Sequence, residues 1–160
     1  MDDSPNGRYS RAPELEDLTK LCQRLNEAGA RYLLIGGFAV ILHGFVRGTR
    51  DIDLLVDPST ENIQAVKKTL SSLPDNAAAE IADEEISRYA VVRIADEIVV
   101  DLMAKACGID FDEAERSDDI ETVHVQGIPI PVAGKRLLLR MKDTVRPSDA
   151  MDSPTTFELP

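Results

Sequence analysis

Two aspartates one residue apart, Asp51 and Asp53, open the apolar run Asp51-Ile52-Asp53-Leu54-Leu55-Val56. In a strand, residues two apart share a face, so both carboxylates project together while Ile52 and Leu54 enter the core. Two carboxylates about 4 Å apart at an effective dielectric near 20 repel by roughly 4 kcal/mol, which packing alone does not justify. A hard divalent cation reverses the sign. Magnesium prefers oxygen ligands, keeps several waters and commonly takes one or two protein carboxylates together with substrate phosphates. Asp-x-Asp also occurs in solvated loops, but its place at the head of an apolar strand argues against one here.

A second element lies upstream, where the apolar run Arg31 to Ile35 is broken by Gly36-Gly37. Glycine after a strand lets the backbone turn sharply and lets a ligand approach the main chain, and a helix beginning there points free N–H groups at a phosphate. Taken alone, the pair reads as a tight turn. A two-metal site needs one more acidic ligand from a neighbouring strand. Asp101 closes Ile98-Val99-Val100 and precedes Leu102-Met103. An aspartate inside such a run is costly to bury without a partner, which selects it over Asp96 and Glu97 in the adjoining turn. The competing reading is an edge-strand aspartate facing water.

Gly36-Gly37, a helix, and then Arg47-Gly48-Thr49-Arg50-Asp51-Ile52-Asp53-Leu54 resemble the signature of the DNA polymerase β-like nucleotidyltransferase superfamily. Within it the chain most resembles the small AbiEii-type nucleotidyltransferases of type IV toxin–antitoxin pairs, and more distantly the aminoglycoside and lincosamide nucleotidyltransferases. The stretch from Ile128 through Leu138-Leu139-Arg140-Met141-Lys142 to Asp152 is similar to the carboxy-terminal portion of that group. The resemblance implies a nucleotidyltransferase fold, a mixed β-sheet flanked by helices. It also implies transfer of a nucleoside monophosphate from an NTP to an acceptor hydroxyl, with release of pyrophosphate. On that resemblance Asp51 and Asp53 hold Mg²⁺, two ions in all, and Asp101 completes the second site and acts as base or positions the acceptor oxygen. Gly36 and Gly37 lie against the phosphates. The acceptor is a protein, an RNA or a small molecule, and a cognate antitoxin or other partner chain is implied.

Basic residues near these positions add to the phosphate reading. Arg47, Thr49 and Arg50 flank the aspartate strand, and residues 134–147 carry Lys135, Arg136, Arg140, Lys142 and Arg146 against the single acid Asp143. On a helix reaching Arg146-Pro147, Leu138, Met141 and Val145 face the core, and Lys142 shares an adjoining face with Arg146, which places Lys142 near the triphosphate. A charge run is as readily a solvated face. His43 and His124 have no second histidine or cysteine nearby and read as structural. Neither a Gly-x-Ser-x-Gly elbow nor a Walker-type phosphate loop is present.

The elements that must position these residues follow from periodicity and punctuation. A helix is expected over Pro13 to Gly29, with Leu15, Leu18, Cys22 and Leu25 on one face. Strands are expected at Arg31–Ile35 and Asp51–Val56, with a helix over Phe38–Phe45 between them. A helix capped by Ser59 or Thr60 runs to about Leu73. Residues 74–85 are ambiguous. Hairpins are expected from Arg88–Ile94 with Ile98–Met103, and from Ile120–Val125 with Ile128–Val132, with a short helix over Phe111–Arg116 between them. This pattern is an α+β (α/β) domain with a mixed sheet.

The 160 residues fit one domain, read as a loose arm at 1–11, the folded unit at 12–152 and an unstructured tail at 153–160. Eighteen basic against twenty-nine acidic residues give a net charge of −11. So acidic a surface repels phosphate backbones and disfavours duplex DNA. Cys22 and Cys107 are far apart and outside any zinc spacing, which favours a reducing cytoplasm. No apolar run is long enough to cross a bilayer, and the acidic start lacks a signal peptide. The competing function, favoured by the short carboxy terminus, is a catalytically inactive nucleotide-binding or partner-binding protein that retains the fold.

Overall fold

The computed structural model describes residues 10–142. Helix α1 spans Leu15–Glu27 and begins with a reciprocal cap, in which Glu14 and Asp17 each accept the other's backbone N–H. It ends at a left-handed Gly29, where the Gly29 and Ala30 amides return to Asn26 and Leu25. Its buried stripe is Leu18, Leu21, Cys22 and Leu25; Leu15, expected on that face, is 40% exposed.

Strand β1 is Tyr32–Ile35, helix α2 is Gly36–Leu42 and strand β2 is Asp51–Val56. The two glycines are therefore the first residues of α2 rather than a link before it. Helix α3 covers Thr60–Leu70, with Ser59 at its N-cap and Ile63, Val66 and Leu70 buried. The ambiguous stretch holds a 3-10 turn at Ala77–Glu80 and one helical turn, α4, at Glu85–Arg88. Arg88 therefore ends a helical turn instead of opening a strand, because the Glu85 carboxylate takes the Ala82 amide and winds the chain there. Strands β3 (Val92–Ala95) and β4 (Val99–Met103) follow.

A small hairpin, β5 (Lys105–Ala106) and β6 (Ile109–Asp110), turns on Cys107-Gly108, both with positive φ. It was not foreseen. Helix α5 is Phe111–Arg116, β7 is Ile120–Val125 and β8 is Ile128–Ala133, the last two joined through left-handed Gln126 and Gly127. Helix α6 is Lys135–Arg140. The expected continuation toward Arg146-Pro147 and the 153–160 tail lie outside the described residues, as do residues 1–9 of the arm. Ser10 and Arg11, at the arm's inner end, hydrogen-bond to the carbonyls of Asp96 and Glu97.

Six strands form one mixed sheet in the order β3-β4-β2-β1-β8-β7. β2 runs antiparallel to β1 and parallel to β4, and β1 runs parallel to β8. The fold is thus α+β with a mixed sheet flanked by helices: α1 packs on α3 and β8, and α2 on β1 and β2. Central β1 is buried throughout, and Ile52, Leu54, Val100 and Leu102 are fully buried. Among the described residues no helix is long and apolar enough to cross a membrane.

Candidate metal and nucleotide site

The register of two paired strands, β2 and β4, assembles the acidic group. Asp53 stands directly opposite Asp101 across the parallel β2–β4 pair, and Asp51 lies two residues before Asp53 on the same face. Each of Asp51, Asp53 and Asp101 offers a carboxylate oxygen within 4.8 Å of the other two. The sequence expectation that Asp101 joins the β2 pair is met in the fold. Asp101 is buried, and Asp51 and Asp53 are half-buried.

Crowding and burial weaken the acidity of Asp51 and Asp53. Burial, followed by the charges of Asp51 and Asp101, pushes the Asp53 carboxyl up to about 8. Asp51 is raised for the same reasons, burial first and then Asp101. All donors are carboxylate oxygens, a set that fits a hard divalent cation such as Mg²⁺ and does not suit a soft metal.

Sequence reasoning missed Arg93. Across the antiparallel β3–β4 pair it faces Asp101, and its Nε and Nη2 donate to Asp101 Oδ1 and Oδ2, each at 2.9 Å. Nη2 also reaches Asp51 Oδ2 at 3.2 Å. The hydrogen bond to Asp101, followed by its charge, raises the Arg93 pKa. The signal available in the sequence was the alternation Val92-Arg93-Ile94-Ala95, which places Arg93 on the face opposite buried Val92 and Ile94.

The diglycine supports this group by making room. Ile35 pairs with Asp53, so the chain turns into α2 beside the Asp53 side chain. Gly36 has φ +73°, and a Cβ there would lie 2.0 Å from Asp53 Oδ2. At Gly37 a Cβ would lie 2.7 Å from Thr49 Oγ1, which in turn donates to the Asp51 carbonyl at 3.0 Å. The tight-turn reading of the pair is therefore incomplete. Both glycines are needed for contact with the loop and strand that carry the aspartates.

An open cleft of about 610 Å³ adjoins the aspartates, lined by Ala12, Gly37, Arg47, Gly48, Thr49, Arg50, Asp51 and Asp53. Its volume lies in the range of small-molecule sites. Basic side chains and a hydroxyl thus share one wall with two carboxylates. Lys142 is not among the lining residues. Helix α6 ends at Arg140, so Lys142 lies beyond the helical spacing that was to aim it at the cleft. Arg140 instead pairs with Glu113 on the surface at 2.6 Å. His43 is structural, its Nε2 2.8 Å from the Ala133 carbonyl.

Asp96, set aside as a turn residue, is buried and organises the backbone. Its carboxylate accepts the amides of Asp75, Ala77 and Glu97 at 2.8 to 2.9 Å. It takes no part in the acidic group.

No family model matches the chain, and no curated protein matches it. Among solved structures, a Thermotoga maritima protein provisionally described as a nucleotidyltransferase is similar at a TM-score of 0.49 and 19% identity, over 79% of this chain and 81% of its own.

Proposed function

We propose that the chain is a magnesium-dependent nucleotidyltransferase of the DNA polymerase β-like kind. The observation that carries this reading is the convergence of Asp51, Asp53 and Asp101 from paired parallel strands beside the Gly36-Gly37 bend. The adjoining cleft carries Arg47, Thr49 and Arg50, groups suited to a triphosphate. In this reading Asp51, Asp53 and Asp101 hold Mg²⁺, two ions in all. Bound magnesium supplies charge neutralisation and polarisation at the phosphoryl oxygens.

The remaining work falls to the chain's own groups. Arg47 and Arg50 bind the phosphates, while Gly37 lets them approach the backbone. Asp101 serves the acceptor hydroxyl, as base or as positioning group. The acceptor oxygen forms a bond to the α-phosphorus, the bond from that phosphorus to the bridging oxygen breaks, and pyrophosphate and a proton leave. Protein, RNA and small-molecule acceptors are all consistent with the open cleft. The resemblance in sequence sets this chemistry in a cytoplasmic toxin–antitoxin pair with a cognate partner chain.

A second reading, a nucleotide-binding or partner-binding protein without turnover, has one observation in its favour: Arg93 occupies two of the three carboxylates. Incubation with each labelled NTP and Mg²⁺, with and without cell extract, separates the two. The enzyme releases pyrophosphate and labels an acceptor, and Asp53→Ala abolishes both. Bound NTP with no release in any condition supports the second reading.

A further inference from the structure

The guanidinium of Arg93 sits where a cation would be received. It grips both oxygens of Asp101 in a fork and touches Asp51 with the same Nη2. Guanidinium matches carboxylate geometry bidentately and stays charged, so this is a strong, directional contact. It has no acceptor and cannot join a metal's ligand set. A cation taking oxygens of Asp101 and Asp51 therefore competes with Arg93 for the same lone pairs, at a distance where two positive charges repel. The exposures show which partner yields. The Arg93 side chain is 60% exposed and that of Asp101 only 8%, so Arg93 can rotate into solvent while Asp101 is fixed by the sheet.

We propose that Arg93 is a resident counter-ion: it occupies the aspartate cluster in the cation-free protein, is displaced when a divalent cation binds, and so sets the cation affinity of the site. The inference rests on the reading of the three aspartates as cation ligands, and on nothing about the acceptor. It gives Arg93 two opposed effects. Arg93 stabilises the protein without metal, by relieving carboxylate repulsion, and it weakens metal binding by occupying the ligands.

The test is a Mn²⁺ titration of the full chain without nucleotide, with free Mn²⁺ counted by electron paramagnetic resonance. Arg93→Met is expected to bind Mn²⁺ about tenfold or more tightly than the natural protein, the effect of removing a competing charge in direct contact. Arg93→Lys keeps the charge and is expected to stay near the natural affinity. Arg24→Met, which removes an exposed arginine bonded to Ser72, is expected to change nothing. In chelator Arg93→Met is expected to melt at a lower temperature, with the loss recovered on adding Mn²⁺. If Arg93→Met does not fold, Arg93→Gln takes its place.

Equal or weaker Mn²⁺ binding by Arg93→Met overturns the proposal, as does no binding by either protein. If Asp53→Asn binds Mn²⁺ as well as the natural protein, the assignment of the aspartates as ligands fails as well. If Asp53→Asn loses binding while Arg93→Met is unchanged, only the counter-ion role fails.

Discussion

The carboxylate of Asp53 occupies the space that a side chain on residue 36 would need: a Cβ on Gly36 would lie 2.0 Å from Asp53 Oδ2 and 2.8 Å from its Cγ. Asp53 is fixed in register by β1 and β4 on either side, and Gly36 is held at φ +73°. Neither can retreat without disturbing the sheet or the start of α2. Gly36→Ala is therefore expected to cost about 1–2 kcal/mol for the left-handed backbone alone, with the clash in addition. It is also expected to abolish the rise in melting temperature predicted on adding a divalent cation. Gly37→Ala meets the Thr49 side chain at 2.7 Å and Arg47 Cζ only at 3.8 Å, without a positive φ, and its smaller loss of melting temperature by differential scanning calorimetry checks the ordering.

The weakened acidity of Asp53 gives stability an unusual pH dependence. In the unfolded chain its carboxyl titrates at about 4, whereas burial and its two acidic neighbours hold it protonated up to about 8 in the fold. Between those values the native state binds the extra proton, so its contribution to stability is full below the lower value and is lost as pH rises through the upper one. Urea unfolding in chelator from pH 5 to 9 is expected to show stability falling toward pH 8. Asp53→Asn should flatten that slope. Divalent cation affinity should rise over the same interval, because binding releases the proton.

Arg50 lines the cleft and Lys142 does not, which orders their effects on nucleotide affinity. A charge-assisted contact to phosphate contributes about 1.5–3 kcal/mol. Arg50→Ala is expected to weaken NTP binding about tenfold or more, and Lys142→Ala by less. Fluorescence titration with a labelled NTP at two salt concentrations checks this. Equal losses for the two variants would return Lys142 to the triphosphate.

Asp96 is predicted to matter for folding and not for the site. Its buried carboxylate receives three backbone amides, and Asp96→Ala removes the acceptor they share. A loss of about 2–4 kcal/mol in denaturant unfolding is expected. Mn²⁺ affinity of the folded fraction should be unchanged, in contrast to Asp101→Asn.

What could be read in advance divides along local and non-local lines. Asp51 and Asp53 were legible because a period of two on an apolar strand is a local property, and Asp101 because an aspartate between Val100 and Leu102 needs a reason to be there. The Gln126-Gly127 hairpin carries its turn chemistry in the sequence. Arg93 was not legible as part of the site: its partner Asp101 is fixed by cross-strand register, which no local pattern states. Asp96 was rightly set aside as a ligand, but its burial was not legible, because it depends on residues 75–77 folding over it. The β5–β6 hairpin escaped because two-residue strands leave no alternation to detect. The placement of Lys142 rested on extending a helix that ends at Arg140.

The most direct test is anomalous diffraction from crystals soaked with Mn²⁺ and a non-hydrolysable NTP. The expected result is a manganese peak bounded by the carboxylates of Asp51, Asp53 and Asp101, Arg93 turned away from Asp101, and the triphosphate lying along Gly37, Arg47 and Arg50. A nucleotide bound elsewhere, or no metal peak among the three aspartates at saturating Mn²⁺, would contradict it.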